Sequence, residues 1–375
     1  MSKINPAIDP DGLLEYSVVF TDRSLNHMSQ SFQAVMRDIS ATLKTVYNAH
    51  SAILVPGGGT YGMEAVARQF ATGKRCMVIR NGFFSYRWSQ IFEAGSIPAS
   101  EIVLKARPVE DGPQPAFAPV PVEEILAAIA AEKPDLVFAP HVETSAGIIL
   151  PDEYLLEIGK AVHAHGGLFV LDCIASGTVW VDMQTCNVDV LLSAPQKGWS
   201  ASPCAGLVML SEAAEKTMAD TQSTSFACDL KKWRQIMAAY ENGGHAYHAT
   251  MPTDAIGKFH QAMLEAGTIG FDTLKTAQLD LGNRARMIIA QAGYKSLAAA
   301  GFGAPGVVVS YTSDADIQTG RKFLALGMQT AAGVPLMCDE GPDFRTFRIG
   351  LFGLDKLQHM DRTLELLENA LAKLG

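Results

Sequence analysis

The chain has 375 residues, 48% of them apolar and 18% charged, so it can bury a large core and is a poor candidate for long disorder. Its net charge is −9, from 30 Lys and Arg against 39 Asp and Glu, which excludes a cationic stripe for nucleic acid. The cysteines (Cys76, Cys173, Cys186, Cys204, Cys228 and Cys338) form no Cys-x-x-Cys pair, and neither an apolar leader nor a run of about 18 apolar residues occurs, so reduced thiols in a cytoplasmic protein are expected.

Residues 1–27 read as irregular, broken by Pro6, Pro10 and Gly12. Met28, Phe32, Val35, Met36, Ile39, Leu43 and Val46 then follow helical spacing, which predicts a helix over 28–48. Ser51–Pro56 predicts a strand ending in glycines, Met63–Phe70 a helix, Arg75–Arg80 a strand and Phe84–Glu93 a helix. The acid-containing stretch Pro108–Pro121 reads as a solvated loop. Glu123–Ala131 is helical, Asp135–Ala139 a strand, and Asp152 starts a helix that Gly166 and Gly167 stop. Leu168–Leu171, Val188–Leu192 and Ala205–Leu210 are further strands. Alternating strands and helices imply an α/β fold, a mostly parallel sheet flanked by helices. Beyond about Gly267 the texture becomes helix-rich, with short strands at Val307–Tyr311 and Phe344–Ile349. The last helix carries Leu357, Met360, Leu364, Leu367, Leu371 and Leu374 on one stripe. The expected division is an N-terminal segment 1–27, a large domain 28–267 and a smaller α+β domain 268–375.

Three features carry chemistry. Gly57-Gly58-Gly59-Thr60-Tyr61-Gly62 stands between a strand and a helix, where backbone N–H groups and the helix dipole bind anions. It satisfies Gly-x-Gly-x-x-Gly, but the next strand ends in Arg80-Asn81 rather than the acid a dinucleotide site uses. A tight turn without ligand is the plain alternative. Asp172 ends a strand at the ligand-binding edge of the sheet, unless it merely caps the next segment. Lys197, in Ser-Ala-Pro-Gln-Lys-Gly, follows a buried strand among small and apolar residues; desolvation would lower its pKa and make it a carbonyl nucleophile, unless it is an ordinary loop lysine. In that order, an anion loop, an acid and a lysine are what pyridoxal phosphate needs: a phosphate cradle, a partner for the ring nitrogen and a Schiff-base amine. His163 and His165 sit two apart at a helix end, not on one face, so no metal site is expected. His141 precedes a ligand-edge loop and either approaches the cofactor or makes a structural hydrogen bond.

From about Ser51 to the C-terminus the chain resembles the class V aminotransferases of fold type I, most closely the serine–pyruvate and alanine–glyoxylate branch. The resemblance rests on GGGTYGMEA (57–65), RNGFF (80–84), HVETSAG (141–147), LDCIAS (171–176), SAPQKG (193–198), YHATMP (247–252) and FRIGLFG (347–353). It implies that Lys197 forms the Schiff base and shuttles the substrate proton, and that Asp172 pairs with the pyridine nitrogen. It places Phe84 against the cofactor ring, Ser145 with Thr144 at the ring oxygen, and Gly58, Gly59, Thr60 and Gln196 around the phosphate. Tyr247 and Thr250 match residues that reach the phosphate of a neighbouring subunit, which implies a homodimer with shared sites. Arg348 matches the arginine that grips the substrate carboxylate. The family's Pro-Gly-Pro segment at the substrate entrance is absent; Asp9-Pro10-Asp11-Gly12 stands there instead, and Thr60 replaces a histidine of some relatives. Arg23, His27 and Arg345 are extra polar groups for a second acidic group on a substrate, or surface charges.

The implied activity is transfer of an amino group from a small L-amino acid of the alanine or serine type to a 2-oxo acid of the glyoxylate or pyruvate type, with ping-pong kinetics. A lyase, desulfurase or racemase with the same cofactor is one alternative; a desulfurase would need a reactive cysteine, for which Cys338 is the candidate. An NAD-dependent oxidoreductase using the glycine cluster and a non-catalytic protein on the same fold are the others.

Overall fold

The computed structural model describes residues 11–374, so Pro6, Asp9 and Pro10 lie outside the described residues. The first helix, α1 (Gln30–Tyr47), buries Phe32, Met36, Ile39 and Leu43 along one stripe. Ser29 caps it: its Oγ accepts the Phe32 N–H at 3.2 Å.

The main sheet has seven strands: β1 (Ser51–Pro56), β2 (Arg75–Arg80), β3 (Ser100–Lys105), β4 (Leu136–Pro140), β5 (Leu168–Asp172), β6 (Val190–Ser193) and β7 (Ala205–Leu210). Their spatial order is β1-β7-β6-β5-β4-β2-β3. The ladders β6–β5, β5–β4, β4–β2 and β2–β3 are parallel, while β7 runs antiparallel to both β1 and β6. Every residue of β4, β6 and β7 is buried, as apolar strands covered on both faces must be. The flanking helices are α2 (Gly59–Val66), α3 (Phe83–Gly95), α4 (Val122–Glu132), α5 (Asp152–His163), α6 (Glu212–Ala219) and α7 (Leu230–Glu241). Two long helices follow, α8 (Thr253–Ile269) and α9 (Phe271–Gln291).

The C-terminal part is a three-stranded antiparallel sheet of β8 (Val307–Tyr311), β9 (Ala331–Ala332) and β10 (Thr346–Gly350), with β10 in the centre. α9 packs on it together with α10 (Leu354–Gln358) and α11 (Met360–Leu371). Leu281, Ile289, Phe323, Phe347 and Leu364 centre this second core. Met263 belongs to the main core and Ala266 to the second, although both lie on the continuous helix α8.

Four readings need correction. β3 was not foreseen, because it is an edge strand with no fully buried residue. α2 starts at Gly59, ahead of Met63, and widens into a π-turn over Ala67–Ala71. The stretch 108–121 is not simply a solvated loop: Arg107–Pro108 pairs with Phe117–Ala118, and buried Phe117 exchanges backbone hydrogen bonds with Leu297 and Ala299. The final leucine stripe is split at His359, whose backbone leaves the helical region (φ −125°, ψ 54°).

Candidate active site

The site forms at the carboxyl ends of β1, β5 and β6, where backbone leaves the sheet. After β1 the chain turns through Gly57 and Gly58 into α2. Close approach explains the glycines that follow. A Cβ on Gly59 would lie 2.6 Å from Ile174 Cδ1, and one on Gly62 would lie 3.2 Å from the Gly206 Cα of β7. The helix end thus sits flush on the sheet, and its first N–H groups are those a helix leaves without intrahelical partners.

Asp172 is the last residue of β5, and Lys197 follows β6 in a turn. Both line one cavity of about 230 Å³, together with Gly59, Thr60, Phe84 and Gln196. Burial pushes the Asp172 carboxyl up to about 6; the Ile174 N–H it accepts at 2.9 Å opposes this, Glu143 adds to it, and Lys197 and Arg87 counter it. Burial also draws the Lys197 amine below its ordinary value, against the pull of Asp172. That amine lies 5.1 Å from the centre of the Phe352 ring. Among the described residues none accepts a hydrogen bond from it. The arrangement brings a desolvated amine, a buried carboxylate and the glycine-rich N-terminus of α2 into one cleft.

The aromatic wall is Phe84, at the start of α3. The guanidinium carbon of Arg87 lies 5.2 Å from its ring centre and that of Arg348, on β10, lies 5.4 Å away. Arg348 is oriented by one bond, from Nε to the Ala332 carbonyl at 2.8 Å. What fixes α3 is Glu143, fully buried beneath its N-terminus. Its carboxylate accepts the N–H groups of Phe84 (3.2 Å) and Ser85 (2.8 Å), the Ser85 hydroxyl (2.7 Å), and both the N–H (3.0 Å) and hydroxyl (2.7 Å) of Ser145. A negative charge there complements the helix dipole.

Gly59, Thr60, Phe84, Thr144, Asp172, Gln196 and Lys197 therefore meet around one cavity, and Gly58 caps the helix that bounds it. Ser145 stands behind the cavity wall, donating to Glu143 and accepting the Phe83 N–H at 2.9 Å, so of the expected hydroxyl pair Thr144 is the one that opens on the cavity. Tyr247 and Thr250 are not part of this cavity; their hydroxyls lie 3.1 Å apart at the surface. His141 makes the structural bond, between its Nδ1 and Ser176 Oγ at 2.7 Å, and burial holds its pKa down at about 3. Arg345 donates to the Ser313 carbonyl at 2.7 Å, Arg23 is exposed, and buried His27 packs near the rings of Phe20, His245 and Tyr247. None of these three lines the cavity. Cys338 is buried, donates to the Arg80 carbonyl at 3.4 Å, and has its thiol pushed up to about 12, mainly by burial. That is the reverse of a reactive thiol.

Sequence reasoning passed over Arg87 and Glu143. Arg87 follows Phe84 by one helical step, a spacing that puts both on one side of α3. Glu143 was a lone carboxylate between buried apolar segments, which signals a partnered charge. The glycine cluster is not a dinucleotide-binding unit: β1 and β2 are separated in the sheet by β7, β6, β5 and β4, whereas that unit needs its two strands side by side.

Residues 13–300 match the family described as Aminotransferase class-V. The chain is 24% identical over 354 residues to the 2-aminoethylphosphonate–pyruvate transaminase of Syntrophobacter fumaroxidans, covering 92% of this chain and 90% of that protein. It is 28% identical over 252 residues to the transaminase of the same name from Lactiplantibacillus plantarum, covering 65% of this chain but spanning only 62% of that relative's length. The crystal structure of an alanine–glyoxylate aminotransferase from Nostoc sp. shares the fold, with a TM-score of 0.76 at 21% identity over 92% of this chain and 88% of that one. With its family match covering most of the sequence and the lysine, the aspartate and the glycine cradle meeting in one cleft, the chain belongs to the class-V aminotransferases.

Proposed function

We propose that this protein is a pyridoxal-phosphate aminotransferase that carries an amino group from a small L-amino acid, of the alanine or serine type, to a 2-oxo acid of the glyoxylate or pyruvate type. The observation that carries the reading is the shared cavity of Asp172 and Lys197, each with hydrogen-bonding capacity still open, at the end of a glycine cradle. These residues fit the cofactor. The N-terminus of α2 suits a phosphate, the carboxyl pushed up to about 6 becomes fully ionised once a cation faces it, and the unpartnered amine suits a carbonyl.

Gly58, Gly59, Thr60 and Gln196 would hold the phosphate, Phe84 the ring face, Thr144 the ring oxygen and Asp172 the ring nitrogen. Pyridoxal phosphate supplies an electron-withdrawing ring that acidifies the substrate Cα–H. Lys197 Nζ would take that proton and give it back, a task suited to an amine whose pKa burial has lowered. The Asp172 carboxylate would hold the ring-nitrogen proton. Arg348 offers its two Nη groups to the substrate carboxylate, since its Nε is already engaged. Tyr247 and Thr250, outside the cavity of their own chain, would complete the phosphate site of a second copy, which makes the working unit a homodimer. The large domain 28–267 would carry the cofactor and the segment 268–375 the carboxylate clamp; of the expected entrance segment 1–27, residues 1–10 lie outside the described residues. No helix among the described residues is long and apolar enough to cross a membrane, and the cytoplasm is the proposed location.

The test is the visible spectrum of the purified protein. A yellow band bleached by L-alanine and restored by glyoxylate is expected. A band that alanine leaves unchanged would discard that donor, and 2-aminoethylphosphonate, which names the relatives above, is the next to try. No band even after adding pyridoxal phosphate would end the reading.

A further inference from the structure

We propose that Arg87 is a positioning residue for the anionic end of the cleft: it holds Thr60 with the hydroxyl proton free for a bound phosphate, and it sets a positive charge beside that phosphate. The inference rests on the assignment of the glycine cradle as the phosphate site. Arg87 Nη1 lies 3.0 Å from Thr60 Oγ1. A guanidinium carries donors only, so Thr60 accepts this bond and keeps its own proton for another acceptor. No described residue takes that proton. The N–H groups of Gly59 and Thr60, at the first turn of α2, likewise find no acceptor among the described residues. One hydroxyl and two amides are thus left open at the place where the helix dipole favours an anion.

The position of Arg87 is set from α3 rather than from the cradle itself. Glu143 pins the first turn of that helix, and Arg87 stands one turn further on, against the Phe84 ring. Two walls of the cleft are therefore tied together through one side-chain hydrogen bond between Arg87 and Thr60. The same guanidinium acts on both Asp172 and Lys197, drawing the pKa of each down.

The experiment compares two ligands that differ only in the phosphate. The full-length protein, stripped of cofactor, is titrated with pyridoxal phosphate and separately with pyridoxal, following visible absorbance. Arg87→Met keeps the stem and removes the fork. We expect it to weaken pyridoxal phosphate about tenfold or more, the size of one charge-assisted hydrogen bond, while pyridoxal changes by less than about twofold. Thr60→Val should weaken pyridoxal phosphate similarly, and the double variant should lose less than the product of the two single losses. Equal losses for both ligands would reduce Arg87 to a prop for the cleft and overturn the proposal, as would unchanged pyridoxal phosphate affinity. Should the Met variant not fold, Arg87→Lys carries the same comparison with an expected loss of about threefold. Failure of the native protein to bind pyridoxal phosphate at all would instead remove the site assignment, and the proposal with it.

Discussion

The two edges of the main sheet each hold a buried carboxylate and a cavity, and they behave oppositely. At the amino edge, Asp189 precedes β6 beside a cavity of about 830 Å³; at the carboxyl edge, Asp172 ends β5 beside one of about 230 Å³. Asp189 is fully engaged: it accepts the Phe169 N–H at 2.8 Å, His163 Nε2 at 2.7 Å and the Ser211 hydroxyl at 3.0 Å. Asp172 accepts only the Ile174 N–H, and Lys197 nearby donates to no described residue. The larger cavity is lined by partnered groups such as His163 with Asp189, Gln184 with Asn48 and Lys216 with Glu212. The smaller one is lined by groups that wait for something. Open hydrogen-bonding capacity, not volume, marks the site.

The sharpest way to break this contrast is Lys197→Ala. It should cut turnover by about three orders of magnitude or more while circular dichroism and the melting temperature stay native. A variant with normal turnover would remove the lysine from the mechanism. Asp172→Asn should reduce turnover about 100-fold and yet stabilise the cofactor-free protein at pH 7. A carboxyl raised from 3.8 to about 6 leaves the folded state holding more protons, so native stability falls as pH rises through that window. Asparagine still accepts the Ile174 N–H and lacks this burden, so denaturant titrations should show a gain of up to about 3 kcal/mol, with the pH 4–6 slope flattened. An unchanged slope would show that Asp172 is not the titrating group.

The amino edge should respond the other way. Asp189→Asn disrupts a satisfied buried cluster, so a loss of about 2 kcal/mol in stability is expected with turnover per folded molecule preserved. A fall in kcat without a fall in stability would erase the distinction between the edges. The smallest effect belongs to His163→Gln. Asp189 raises the His163 pKa, so the ion pair stabilises fully below 6.5 and is lost as pH climbs past the raised value. His163 is half-exposed, and screening keeps the deficit near about 0.5 kcal/mol, visible only on the acid side.

Much of this was legible because buried parallel strands write themselves as apolar runs. Ser51–Pro56, Arg75–Arg80, Ala205–Leu210 and Val307–Tyr311 coincide with their strands. Asp172, Lys197 and the glycines were legible because each departs from such a run at its end. β3 was hidden, since an edge strand needs no continuous burial. The break at His359 was hidden too: Leu357, Leu364 and Leu367 are buried on both sides of it, and a side-chain period does not register one non-helical residue. Glu143 and Arg87 act across elements far apart in the chain, through the first turn of α3 and through Thr60, so only the fold brings out their roles. The antiparallel insertion of β7 beside β1 is likewise a matter of pairing, not of local pattern.

The contact between Gly62 and Gly206 has a consequence in time. Among the described strands β1 pairs with β7 alone, so the glycine turn gains its backing only when a strand lying some 150 positions later in the chain closes against it. A chain in which β7 has not yet paired therefore holds the whole glycine motif without its backing, and supplying that backing means closing a loop of some 150 residues.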